Sequence, residues 1–181
     1  GHLNAIHQNR IGAAEVEAAY AALSEEVAVG NVGAGTGTRA FSWKGGIGTA
    51  SRVVPIDKTS YTLGVLVQTN FGGSLSIQGV PVGQMLKKTD FDDFKREVSD
   101  GSCMIVVATD APLTSRQLKR IAKRSLFGMV RTGSVMAHGS GDYAVAFSTS
   151  RAGVEGSGDV GTCLPDTALT ALFLAAVDAT E

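Results

Sequence analysis

The sequence predicts an α+β layered domain, and three observations lead there. Helical and extended segments do not alternate strictly: a helix, several strands, a helix, a strand and a helix follow one another, whereas a doubly wound fold needs strand and helix to take turns. Met104 to Thr109, "MIVVAT", is β-rich and apolar throughout, which places it in a sheet covered on both faces. A later segment with helical spacing offers an apolar face, Leu118, Ile121, Ala122 and Leu126. At 181 residues the chain has room for one real core. No repeat or long linker divides it, so residues 1–181 are expected to form a single domain.

Ile11 to Glu26 reads as an amphipathic helix, with Ala13, Val16, Ala19, Tyr20 and Leu23 at helical spacing. After a glycine-rich loop at 30–37, Arg39 to Trp43 and Thr49 to Pro55 are expected to pair as a hairpin across "KGGIG". Tyr61 to Thr69 is a strong strand pattern and Ser74 to Val80 a weaker one. Beyond "MIVVAT", Thr114 and Gln117 have the spacing of a capping box, and Leu118, Ile121, Ala122 and Leu126 make one apolar helix face. Arg116, Lys119, Arg120, Lys123 and Arg124 line the same helix; without interleaved aromatics they read as a solvated face, not a nucleic-acid site. Tyr143 to Thr149 alternates as a strand, and Asp166, preceded by Pro165, is expected to cap a last helix running through Ala168 to Ala179.

A net charge of −1 gives no reason to expect a nucleic acid or an acidic membrane as partner. The longest apolar runs are too short to span a bilayer. No basic segment followed by a hydrophobic core opens the chain, so a cytoplasmic location is expected, or a periplasmic one if a signal peptide precedes it. Cys103 and Cys163 have no CxxC spacing and no histidine cluster beside them, so no metal is expected and both read as small buried hydrophobes. The glycines are the unusual feature, 23 of them, gathered in "GNVGAGTG", "KGGIG", "FGGS", "GSGD" and "GVEGSGDVG".

Three patterns invite chemistry. In "GNVGAGTG" the spacing of Gly33, Gly35 and Gly37 is G-x-G-x-G, not the dinucleotide G-x-G-x-x-G, and no Lys-Ser or Lys-Thr follows as in a P-loop; a turn or pocket wall is the better reading. In "HGSGD", His138, Ser140 and Asp142 would point the same way from an extended segment. A working triad instead draws its members together from separate elements, which leaves His138 as a general base a weak candidate. Third, "SDGSCMIVVATDAPL" sets Gly101 and Ser102 at the mouth of the apolar strand. Ser102 has no adjacent histidine to activate it. If the Gly101–Ser102 bond breaks, however, its own α-amine, with a reference pKa of about 7.7–8.0, can take the hydroxyl proton. From composition alone, an ordinary turn before a strand remains the simpler account.

The blocks "GNVGAGTG", "KGGIGTASR", "LGVLVQTNFG", "GSCMIVVATDAPL" and "RTGSVMAHGSGDYAVAFST" resemble, in the same order, those of the L-aminopeptidase/D-esterase (DmpA-type) family, which includes the β-peptidyl aminopeptidases. The resemblance covers essentially the whole chain. It implies an αββα sandwich similar to that of N-terminal-nucleophile hydrolases, made as a precursor that cuts itself before a serine. By that resemblance the cut falls between Gly101 and Ser102, residues 1–101 end the larger subunit, and 102–181 begin the smaller one with Ser102 as nucleophile. It further implies that Asn70 is the oxyanion-hole donor and that Ser140 and Asp142, from the "GSG-acid" motif, help position and activate Ser102. The acid in the family is often glutamate, so the shorter Asp142 departs from the pattern. Family members are also substantially longer, with pocket residues outside this sequence.

The implied activity is hydrolysis of N-terminal residues from short peptides, amino acid amides or esters, without a cofactor, in a homo-oligomer that family analogy makes a tetramer. The competing expectations are an ornithine-acetyltransferase-like acyltransferase, which has threonine where Ser102 stands, and an unprocessed, non-catalytic assembly module.

Overall fold

The computed structural model describes residues 3, 5–90, 101–152 and 162–181. Two short strands, β1 (Arg39–Ala40) and β2 (Trp43–Lys44), form a small hairpin. Four longer ones, β3 (Ile47–Ile56), β4 (Thr59–Asn70), β5 (Ser102–Thr109) and β6 (Gly141–Ser148), lie side by side in that order. β3 and β4 pair antiparallel, as do β4 and β5, while β5 and β6 run parallel. The helices are α1 (Ala13–Ala21), the single turn α2 (Val82–Met85), α3 (Ser115–Arg131) and α4 (Leu169–Thr180). The α+β prediction therefore holds.

α3 and α4 cover one face of the sheet. Alternation along β5 sends Cys103, Ile105 and Val107 under them, where all three are fully buried. Leu63 and Val65 of β4, Ile121 and Met129 of α3, and Leu169 and Leu172 of α4 complete this core. The helices approach closely because residue 128 is glycine: a Cβ there would lie 2.4 Å from the Val177 carbonyl oxygen. The opposite face exposes Met104, Tyr143, Val145 and Phe147. The expectation that "MIVVAT" is covered on both sides is thus met on one side among the described residues. They form one helical layer, α3 and α4, packed on one face of the four-stranded sheet.

Several local expectations change. The long hairpin closes at Asp57-Lys58, between β3 and β4, with Asp57 at φ +53°. "KGGIG" does not join two strands across itself. Its glycines let backbones pack, since a Cβ on Gly46 would sit 2.5 Å from the Gly30 carbonyl oxygen. Ser74 to Val80 forms only an isolated bridge between Ile77 and Val80. The first helix is shorter than expected and buries none of its residues.

The capping box of α3 forms as expected: the Gln117 N–H donates to Thr114 Oγ1 at 3.3 Å, and the Thr114 N–H donates to Gln117 Oε1 at 2.9 Å. Asp166 does not cap α4, which follows a 3-10 turn and has Ala168 at its N-cap. Its carboxylate instead takes the Arg116 guanidinium at 2.8 and 2.7 Å, Gln117 Nε2 at 2.9 Å and Arg120 at 3.1 Å. Arg116 above all, and then Gln117, hold the Asp166 carboxyl below its usual range. Arg124 lies 3.9 Å over the Phe173 ring. The basic cluster is therefore largely a fastening between α3 and the start of α4.

Candidate active site

Two of the sequence-derived site residues, Asn70 and Ser102, meet at the head of β5, a central strand held by β4 on one side and β6 on the other. Ser102 is its first residue, with Asn70 of β4 and Gly141 of β6 as its Cα partners. Residues directly opposite in an antiparallel pair share a face, so Asn70 and Ser102 present their side chains on the same side of the sheet. Gly101 lets the strand begin there: a Cβ on it would meet the Asn70 carbonyl oxygen at 2.9 Å and Phe71 Cα at 3.0 Å.

The Ser102 hydroxyl donates to the carbonyl oxygen of Gly101 at 2.5 Å. The backbone N–H of Gly141 donates to that same oxygen at 3.2 Å and to Ser102 Oγ at 3.3 Å. Asn70 Oδ1 accepts the Arg39 N–H at 3.2 Å, which orients the side-chain amide by its oxygen end and leaves Nδ2 as its donor end.

Ser140 and Asp142 flank Gly141. Ser140 Oγ and Asp142 Oδ1 are buried and find no hydrogen-bond partner among the described residues. Such orphaned oxygens are costly to bury and uncommon in folded proteins. Asp142 stands opposite Cys103, hence on the helix-covered face and across the sheet plane from the Ser102 side chain. Burial first, and the negative charge of Asp142 second, push the Cys103 thiol up to about 12, so it is neutral and inert as a nucleophile.

The "HGSGD" segment does not form a triad. It turns at Gly139, with φ +89°, leaving His138 exposed. The geometry thus joins Ser102 with Asn70 and Gly141, places Ser140 and Asp142 beside them without bonding them to Ser102, and excludes His138. "GNVGAGTG" is no phosphate cradle either. Gly35 is buried, and Lys44 Nζ donates at 2.7 Å to the carbonyl oxygens of both Gly35 and Gly45. The run at 153–161, Asp100 and His2 lie outside the described residues. Among those described, no group of three or more His, Cys, Asp or Glu is placed to hold a metal ion.

Sequence reasoning missed the shell behind Asn70. Phe41 sits at φ +52°, uncommon for a bulky residue. It packs edge-on against Phe71 with ring centroids 5.1 Å apart, and its N–H donates to the Phe71 carbonyl at 3.0 Å. Asp90 accepts the Ser42 hydroxyl and, at 3.1 Å, the Gly73 N–H. Together they pin the chain just after Asn70. No local pattern links positions so far apart in sequence, so only an unexplained polar residue at 90 could have hinted at it. A cavity of about 680 Å³ opens on the helix side, lined by Phe41, Val67, Phe71 and Met129 with Arg52 and Glu181; Ser102 does not line it.

Comparison with known proteins gives this arrangement a family. The chain is 45% identical over 183 aligned residues to the β-peptidyl aminopeptidase BapA of Sphingosinicella microcystinivorans, covering 92% of this chain and 46% of that one. It thus spans about half the length of the curated relatives it matches. Among solved structures it superposes on the PH0078 protein of Pyrococcus horikoshii OT3 with a TM-score of 0.85 at 44% identity, covering 99% of this chain and 50% of the other. The L-aminopeptidase D-Ala-esterase/amidase of Ochrobactrum anthropi matches with a TM-score of 0.82 at 39% identity, again over 99% of this chain and 50% of its own length. That enzyme is described as a prototype of the serine aminopeptidases and a new variant of the Ntn hydrolase fold, so the α+β fold here is of that type. The model of peptidase family S58 matches residues 1–181. With the whole chain matched and the fold shared, this protein belongs to peptidase family S58.

Proposed function

We propose that this chain carries the reaction centre of a self-processing serine aminopeptidase, cut at Gly101–Ser102, with Ser102 as its nucleophile. The observation that carries the reading is the position of Ser102: first residue of a central strand, its hydroxyl on the carbonyl of the preceding glycine, and no described histidine bonded to it. Among the described residues no external base is bonded to this serine, and cleavage would give it one in its own α-amine.

In turnover, the α-amine takes the hydroxyl proton as Oγ attacks the carbonyl of the substrate's first residue, and returns it to the leaving amine or alcohol. Asn70 Nδ2 donates to the developing oxyanion. Water then releases the acyl group from Ser102. Ser140 Oγ and Asp142 Oδ1 support this reading as unpartnered buried acceptors beside the new chain end, suited to a protonated amine. The substrate class is short peptides, amino acid amides or esters, and the assembly a homo-tetramer, as the family resemblance implies.

Denaturing mass spectrometry tests the core of the proposal. The wild-type protein is expected in two pieces, one beginning at Ser102, while Ser102→Ala stays whole and inactive toward aminoacyl amides. Wild-type protein that stays whole yet hydrolyses those amides would sink the mechanism.

A further inference from the structure

Gly141 lies in a regular strand with no left-handed backbone to explain its lack of a side chain. Its peculiarity is contact: its N–H touches both atoms that react in self-cleavage, the Gly101 carbonyl oxygen at 3.2 Å and Ser102 Oγ at 3.3 Å. A Cβ at 141 would stand 3.3 Å from Ser102 Oγ, crowding the hydroxyl as it swings from the carbonyl oxygen toward the carbonyl carbon. We infer that the backbone N–H of Gly141 is the oxyanion donor of the self-cleavage step, a role that rests on the self-processing reading above.

Ser102 Oγ bonds to the Gly101 carbonyl carbon, and the electron pair of the C=O bond moves onto the oxygen that Gly141 N–H holds. That pair then returns, the carbon–nitrogen bond breaks, and the Oγ proton ends on the departing Ser102 nitrogen. The product is an ester between Gly101 and Ser102. Water adds to it, Ser102 Oγ regains a proton, and Gly101 leaves as a carboxylic acid. Preorganised donors of this kind act where charge develops, at about 2.7–3.1 Å from the oxyanion. The 3.2 Å ground-state contact needs only slight tightening as charge builds. Asn70 Nδ2 is assigned to the substrate's oxyanion in turnover, so two donors divide the two reactions.

Backbone ester substitution tests this in the full-length precursor. Replacing residue 141 by glycolic acid in cell-free synthesis removes the N–H and weakens the Ser140 carbonyl as an acceptor. Processing, followed by mass spectrometry, is expected to slow about 10²–10³-fold, the usual loss for one oxyanion donor. The hydroxy-acid counterpart of Tyr143, two residues along β6, removes a strand amide away from the reacting atoms and is expected to process at close to the wild-type rate. A 141 ester that processes at the wild-type rate, or two esters equally slow, overturns the inference. Should the 141 ester not fold, NMR on isotope-labelled Ser102→Ala precursor decides: a scalar coupling between the Gly141 nitrogen and the Gly101 carbonyl carbon is expected, and its absence rejects the contact. A wild-type precursor that never processes sinks the parent reading instead, before either ester is compared.

Discussion

Ser140→Ala, made in a Ser102→Ala chain that on the proposed mechanism stays whole, is expected to stabilise the protein. Ser140 Oγ is buried with no partner among the described residues. Protein mutational data put the burial of an unbonded hydroxyl at about 1–3 kcal/mol. Deleting one oxygen forfeits only a few van der Waals contacts, each of about 0.1–0.2 kcal/mol. A net gain of about 1–2 kcal/mol should remain. Urea unfolding reads it as a higher midpoint at unchanged slope. On the proposed mechanism, the same substitution with Ser102 intact should slow turnover, because the hydroxyl would then serve the new chain end. Opposite signs in the two backgrounds are the signature of stability yielded to function. A midpoint lowered by the equivalent of 1 kcal/mol or more would refute the reasoning, since it would mean the hydroxyl is already hydrogen-bonded in the precursor.

Asn70→Asp keeps the acceptor for the Arg39 N–H but loses the Nδ2 donor; steady-state kinetics on an aminoacyl amide should show kcat down about 10²–10³-fold with the melting curve little changed. Cys103 should resist iodoacetamide in the native protein at pH 9, read by peptide mapping, because burial and then the charge of Asp142 hold its thiol at about 12. Since the unfolded thiol ionises near 9.0 and the folded one near 12, the stability it contributes is intact below pH 9 and falls as pH rises between those values, which pH-resolved urea titrations can follow. Gly133→Ala should leave mostly insoluble protein on expression: residue 133 has φ +101°, and a Cβ would fall 1.8 Å from the Ser74 carbonyl oxygen.

The parts legible in the sequence were those with short-range causes. β4 and β5 announced themselves through runs of β-branched residues, and α3 through Thr114 and Gln117 three apart. The β3–β4 turn was hidden because Asp57-Lys58 lacks the Asn-Gly or Asp-Gly signal of tight hairpins, while "KGGIG" displayed glycines that serve a contact with Gly30 instead. Asp166 looked like a helix cap by local rules; partners 46 to 50 residues away claimed its carboxylate. At the site, the family resemblance named Asn70, Ser102, Ser140 and Asp142. It could not show that register sets Asn70 beside Ser102 and turns Asp142 to the opposite face. The amide of Gly141 carries no side chain for any pattern to detect.

The pairing of β4 with β5 has one more consequence. Cutting Gly101–Ser102 would leave β3 and β4 in one polypeptide, and β5, β6, α3 and α4 in the other. The ladder from Leu63 opposite Thr109 to Asn70 opposite Ser102 would then become the seam between two chains. Leu63, Val65, Ile105 and Val107, buried together in one core, would be shared across it. The two products could not drift apart without unzipping the middle of the sheet, so separation and unfolding would be one event. A severed covalent bond would make them partners that behave as a single cooperative body, and their parting would be governed by the rate of unfolding rather than by dilution.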